Sequence, residues 1–255
     1  MRYLVTPRTA RAPGACALSC SGAAVRPGVP RVEVIASRQF ESAARFRHRD
    51  GSNESLHVAA PQLLQARINA ADGGSRVITV LNAQLSALEG DLEAAGTNGW
   101  ATRGDYLRAR RAAQARAIAH LVAARQRSVP GEELVVLGNF EAAQFDDGAS
   151  DLMGLMGGRT APRGRVLDFH ASPLASPLSN LTTRLPAAER YTVVREGNAQ
   201  AVDHILVSDA VLRSSPAARV EVARVNADFG EDNYADASVP VRVSDHDPVV
   251  LFLGR

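Results

Sequence analysis

Leu134, Val135, Val136 and Leu137 are apolar at every position, so a strand formed by this run must be covered on both faces. That requirement demands a layer on each side of its sheet. One covering element is legible just upstream. The stretch GDYLRARRAAQARAIAHLVAARQR, residues 104–127, is the clearest helix in the chain. Leu107, Gln114, Ile118, Leu121 and Val122 fall on one side of it, with Arg108, Arg110, Arg111 and Arg116 largely elsewhere. Pro130 and Gly131 end it.

The remaining pattern is rich in strands. RVEVIAS (from Arg31), PQLLQARINA, RVITVLNAQL, RYTVV, AVDHILVS, RVEVARV and VVLFL all read as strands. ASDLMGLMG reads as a short helix, residues 88–103 as a polar loop, and ADFGEDNYADASVPVRVSDHD as a long acidic loop. Many strands with few helices between them predict two sheets packed face to face with flanking helices, not a regular doubly wound sheet. Residues 1–30, rich in Ala, Gly, Pro and Ser, read as irregular, and a domain is expected over 31–255.

Charge divides the chain in two. Residues 1–127 carry 18 Arg against 9 acids, and residues 128–255 carry 11 against 18. A basic half suits an anionic polymer and an acidic half a cation, while solvated faces would look the same. All 29 basic residues are Arg, a bias that looks compositional, although a guanidinium forks onto phosphate oxygens better than an ammonium does. Cys16 and Cys20 are too few for a four-ligand zinc site and leave the compartment open. The N-terminus is a poor secretion signal because Pro13 and Gly14 break its apolar stretch. No run approaches the roughly 18 apolar residues of a membrane helix.

Three places combine polar chemistry with a buried strand. Ser244, Asp245, His246 and Asp247 stand just before Pro248 and VVLFL, where polar groups are held rigidly yet face outward. An Asp-rich turn capped by Pro is the plainer alternative. In AVDHILVSD, a strand would put Asp203, Ile205 and Val207 on one face and His204 and Leu206 on the other. A carboxylate among Ile and Val is costly unless bonded, so Asp203 either holds another group, such as a His, or stands at an open strand end. Asn139 and Glu141 share a face if the chain stays extended after Gly138. Such an amide and carboxylate can hold a metal-bound water or a phosphoryl oxygen, or can be ordinary loop residues.

In order and spacing, VVLG-x-F, VDHILVS and SDHDPVV resemble the endonuclease/exonuclease/phosphatase superfamily, and its bacterial nuclease-like branch in particular. RRAAQARAIAHLV, FDDGASDLMG, RYTVVREGNAQ and NADFGEDN extend the resemblance over about residues 31–255. It implies a four-layer α/β sandwich of two mixed sheets flanked by helices, and hydrolysis of phosphodiesters with Mg²⁺ or Mn²⁺. Nucleic acid or another phosphodiester is the implied substrate, and the branch is often secreted. Carried over, His246 is the imidazole facing the scissile phosphate, Asp203 its carboxylate partner, and Asp245 a metal-side carboxylate. Asn139 and Glu141 stand at the remaining catalytic places, with Glu141 a second candidate metal ligand; the Arg-rich helix itself, and not the resemblance, offers Arg108 and Arg111 as candidates to meet substrate phosphate.

The departures are specific. Asn139-Phe140-Glu141 stands where the family has Asp-x-Asn, and Gln84 stands where it has His. The family's first lobe, with an Asn and a metal-ligating Glu, has no counterpart before Arg31, so the chain reads as truncated or degenerate at its N-terminal side. A catalytic group misplaced by about 1 Å can cost on the order of 100-fold. The expectation is therefore a phosphodiester hydrolase, nuclease-like, with its site decayed more simply than rebuilt. The alternatives are an inactive relative binding a polyanion through the Arg-rich helix, and a phosphatase or lipid phosphodiesterase on the same fold.

Overall fold

The computed structural model describes residues 31–39, 45–56, 62–69, 74–88, 90–234, 236 and 238–254. The irregular segment expected over residues 1–30, with Cys16 and Cys20, lies outside them. In chain order, β1 (Arg31–Gln39), a hairpin of β2 (Arg45–Arg47) and β3 (Asn53–Ser55), β4 (Gln62–Asn69) and β5 (Ser75–Asn82) precede α1 (Arg103–Ser128). There follow β6 (Leu134–Asn139), α2 (Leu152–Gly157), β7 (Ser179–Asn180), a hairpin of β8 (Val193–Arg195) and β9 (Asn198–Gln200), and β10 (Asp203–Val207). The chain closes with α3 (Asp209–Ser214), β11 (Arg219–Val222) and β12 (Val249–Phe252).

A six-stranded mixed sheet in the order β1-β4-β5-β6-β10-β7 forms the frame. β5 and β6 are parallel and α1 is their crossover; the other pairings are antiparallel. Every residue of β6 is buried. Leu134 and Val136 enter a core shared with α1 and α2, and Val135 and Leu137 enter a second core shared with Val220, Val249 and Leu251 of the β11–β12 sheet. Burial of each such side chain contributes about 1.5–3 kcal/mol. The protein is therefore mixed α/β with a large mixed sheet, as the pattern predicts, and its helices are few.

The helix α1 starts where Thr102 accepts a hydrogen bond from the Asp105 N–H at 3.0 Å, an N-cap inside the segment read as loop. Leu107, Gln114, Ile118 and Val122 are buried as their spacing predicts. Arg111, assigned to the solvent side, is buried too, because its guanidinium reaches the backbone carbonyls of Phe140 and Glu141. The buried arc is wide because Ala112, Ala115, Ala119 and Ala123 let α1 lie close to the sheet and to α2.

The β2–β3 hairpin escapes the sequence reading, and of the β8–β9 hairpin only the first strand, in RYTVV, is anticipated. β2–β3 tucks Phe46 under α1, and β8–β9 turns through Glu196 and Gly197, both with positive φ (49° and 78°). On the far side, β1 pairs with β4 and no other strand among the described residues, and Val34, Ile35 and Val77 are exposed nearby. No helix among the described residues is long and apolar enough to cross a membrane.

Candidate active site

β6 and β10 run antiparallel in a register that sets Asn139 opposite Asp203, so two polar side chains arrive together at one end of a dry sheet. Ile205 and Val207 lie in the β11–β12 core and Leu206 in the helix-side core, which places Asp203 on the β11–β12 face as the alternation predicts. The loop before β12 then delivers His246, whose Nδ1 lies 2.7 Å from Asp203 Oδ2 with both residues buried.

Thr192 ties these pieces together. Its hydroxyl accepts from the N–H groups of Val202 and Asp203 at 3.3 Å each, and its carbonyl accepts from the Asp247 N–H at 2.7 Å. Val193 bridges His246 along the backbone, which sets the β8–β9 hairpin beside the site. From that hairpin Arg195 reaches in: Nη1 lies 2.6 Å from Glu141 Oε2 and Nη2 3.0 Å from Glu141 Oε1. Arg195 Nη2 also lies 3.2 Å from His246 Nε2. A guanidinium only donates, so in the neutral ring Nε2 is the acceptor and the proton sits on Nδ1, donated to Asp203.

The chain does not stay extended through Glu141. Phe140 is fully buried in the helix-side core, and Glu141 turns back with φ 48°. The two side chains nonetheless meet: the Glu141 N–H donates to Asn139 Oδ1 and Asn139 Nδ2 donates to Glu141 Oε1, both at 2.9 Å. Burial pushes the Glu141 carboxyl up, but the hydrogen bonds of Arg195 and Asn139 and the charge of Arg195 outweigh it and hold the group below the usual glutamate range. Burial pulls His246 down, yet the Asp203 hydrogen bond and charge, aided by Asp245 and Glu141, leave its pKa raised.

Asp245 lies at the mouth, its side chain 56% exposed and Oδ2 3.7 Å from His246 Nε2. Asp247 is structural: Oδ1 accepts from the N–H groups of Val225, Asn226 and Ala227, and Oδ2 pairs with Arg224 at 3.0 Å. Gln84 is exposed where the chain continues past β5, one residue before the Leu85 N–H that donates to Asn139 O at 3.0 Å. Arg108 is an exposed helix residue 3.7 Å from Asp105, and Arg111 holds backbone behind Glu141; the structure brings neither guanidinium to His246. The residues that sequence reasoning missed are Arg195 and Thr192. A Glu-Gly turn two residues after Val194 was the available signal for Arg195, since it makes REGN a hairpin tip.

The resemblance implies a divalent metal, and the donors present do not fit one. Mg²⁺ and Mn²⁺ want several convergent oxygen ligands. Both oxygens of Glu141 already face the Arg195 guanidinium, which leaves Asp245, its side chain 56% exposed, as the open carboxylate beside His246 among the described residues named for the site. Among the described residues no group of three or more His, Cys, Asp or Glu could hold a metal ion.

No protein-family profile and no curated protein matches the chain. Solved structures do. The human Nocturnin catalytic domain with bound sulfate is similar at 16% identity and TM-score 0.42, over 87% of this chain and 59% of that one. An endonuclease/exonuclease/phosphatase family protein from Bacteroides thetaiotaomicron is similar at 14% identity and TM-score 0.44, over 86% and 63%. D. rerio TDP2 complexed with a single-strand DNA product is similar at 13% identity and TM-score 0.43, over 87% and 68%. The structural likeness is to endonuclease/exonuclease/phosphatase family proteins, and the chain spans about three-fifths of the length of the first two.

Proposed function

We propose that the chain is a phosphodiester hydrolase of the endonuclease/exonuclease/phosphatase type, nuclease-like, whose chemistry centres on His246. The observation that carries this reading is the buried Asp203–His246 pair at 2.7 Å, with Nε2 directed to the mouth of the sheet. Asp203 fixes the Nδ1–H tautomer, which leaves the Nε2 lone pair to take a proton from an attacking water. Arg195 covers that lone pair, and a substrate phosphate that draws the guanidinium onto its own oxygens uncovers it. Water oxygen then bonds to phosphorus, the bond to the leaving oxygen breaks, and the proton held on Nε2 is available to that oxygen. Arg195 takes the phosphate-binding role in this reading, in place of Arg108 and Arg111, while Asn139 and Glu141 position it.

Hydrolysis of bis-p-nitrophenyl phosphate and of plasmid DNA, each with Mg²⁺, Mn²⁺ or EDTA, tests the proposal beside His246→Ala. Turnover that disappears in the variant is expected, falling at least about 100-fold. Absent turnover, or turnover equal in the variant, overturns it. A second reading, an inactive relative that binds a polyanion, is favoured by one observation: Glu141 is neutralised by Arg195 instead of standing open as a ligand. Binding of DNA that weakens steeply with salt, without cleavage, would identify that case.

A further inference from the structure

The stretch LMGLMGGR folds as α2, ends at Gly158 in the left-handed conformation (φ 88°), and releases Arg159 to the surface. Across from it, Asn180 ends β7 and the chain tightens into a 3-10 turn over Leu181–Arg184 that brings Arg184 out as well. Between the two lies a cleft of about 310 Å³, floored by Met153, Leu178 and Leu206. Its polar lining includes Gln144, Asn180, Thr183, Arg159 and Arg184, and no Asp or Glu lines it.

The cleft is separate from the candidate active site. Leu206 belongs to the helix-side core, so the floor lies on the face of β10 opposite to Asp203 and His246. Its charge is also unopposed. Arg125, Arg165, Arg195 and Arg224 each pair with a carboxylate, whereas among the described residues Arg159 and Arg184 have no ion-pair partner. Nearby amides and hydroxyls are held in place. Asn180 Nδ2 donates to His204 Nδ1 at 3.2 Å, its Oδ1 accepts from the Thr182 N–H at 3.1 Å, and the Thr183 hydroxyl donates to Asn180 O at 2.8 Å.

We propose that this cleft binds a phosphate group through Arg159 and Arg184. A carboxylate offers two oxygens, which one guanidinium fork satisfies; a phosphate offers more, enough for two forks and a neighbouring amide. The size of the cleft leaves room for what the phosphate is attached to. A free phosphate compound and the backbone of a single strand present the same chemistry here, and the test separates them.

Isothermal titration at low ionic strength with inorganic pyrophosphate and with an octathymidylate reads both arms. The double variant Arg159→Ala/Arg184→Ala is compared with Arg45→Ala/Arg47→Ala, an equal change of charge at exposed positions on β2. At least one probe is expected to bind the wild type and to bind the cleft variant about tenfold or more weakly, with the β2 variant within about twofold. Pyrophosphate alone would mean a free-anion site, and a preference for the oligonucleotide a strand-binding one; either supports the proposal. Failure of both probes to bind, binding unchanged in the cleft variant, or equal weakening in the two variants overturns it. None of these outcomes depends on hydrolysis.

Discussion

Arg195 and Glu141 form a two-pronged ion pair, 2.6 Å and 3.0 Å, in which the carboxylate is almost wholly buried and the guanidinium is about one-third exposed. Removing one partner strands the other. Loss of a partner from a fully buried pair costs about 3–5 kcal/mol, and exposure of Arg195 reduces this to about 2 kcal/mol for Arg195→Leu. The double variant Arg195→Leu/Glu141→Leu should recover part of that loss. Urea unfolding of the wild type, both single variants and the double variant measures the coupling; a value under about 0.5 kcal/mol would show that the pair is not holding the site.

The two aspartates that flank His246 should behave oppositely. Asp247 accepts three backbone N–H groups and faces Arg224, so Asp247→Ala leaves buried donors without an acceptor and should cost about 3 kcal/mol. Asp245 is exposed, and Asp245→Ala should stay within about 0.5 kcal/mol of wild type while altering binding at the mouth. Equal unfolding midpoints for the two variants would contradict this assignment.

Much of this was legible because strand alternation leaves little freedom. Once AVDHILVS is a strand, Ile205 and Val207 fix its buried face, and Asp203 must follow them to a partner. The tight interior of β6 and the run of α1 were legible for the same reason. What escaped depends on contacts distant in sequence. Nothing local marks Arg195 as the partner of Glu141, since the pairing exists only after the β8–β9 hairpin folds against the His246 loop. The exposed look of Arg111 failed similarly, because its long side chain seeks carbonyls on another element. The masking of Glu141 as a ligand follows from the first of these, the distant approach of Arg195: the position of Glu141 is legible, its counter-charge is not.

Gly138 should tolerate nothing larger. Its φ is 151°, and a Cβ there would lie 1.7 Å from the carbonyl oxygen of Ala83, which runs beside β6. Because that neighbour is backbone held by the Ala83 N–H to Leu137 O bond, it cannot step aside. Gly138→Ala should therefore cost more than about 3 kcal/mol or abolish soluble expression, whereas Gly131→Ala, with open space around it, should cost about 1 kcal/mol for its positive φ alone. Thermal melts of the two variants decide it; similar midpoints would mean that the strand crossing is loose.

His204 gives the protein a dependence on acid that is separate from the active site. The ring is fully buried, donates from Nε2 to Ala142 O at 2.8 Å and accepts at Nδ1 from Asn180 at 3.2 Å, so the neutral form satisfies both neighbours. Burial depresses its pKa below the ordinary 6.5, against the opposing pull of the Ala142 hydrogen bond and the Asp203 charge. The unfolded chain then binds a proton near pH 6.5 that the folded chain refuses, and stability falls as pH drops below that value, by at most about 1.4 kcal/mol per pH unit. His246 works in the other direction and in another window. Its raised pKa gives stability that is complete below pH 6.5 and is lost as pH rises through the folded value, so it adds no slope to the acid side. A His204→Asn variant, less stable throughout because the contact with Phe140 is lost, should nonetheless show a flatter profile between pH 6.5 and the depressed folded pKa. Unfolding free energies measured in urea at intervals from pH 7.5 to pH 5 test this, and parallel profiles for the two proteins would show that His204 is not the group responsible.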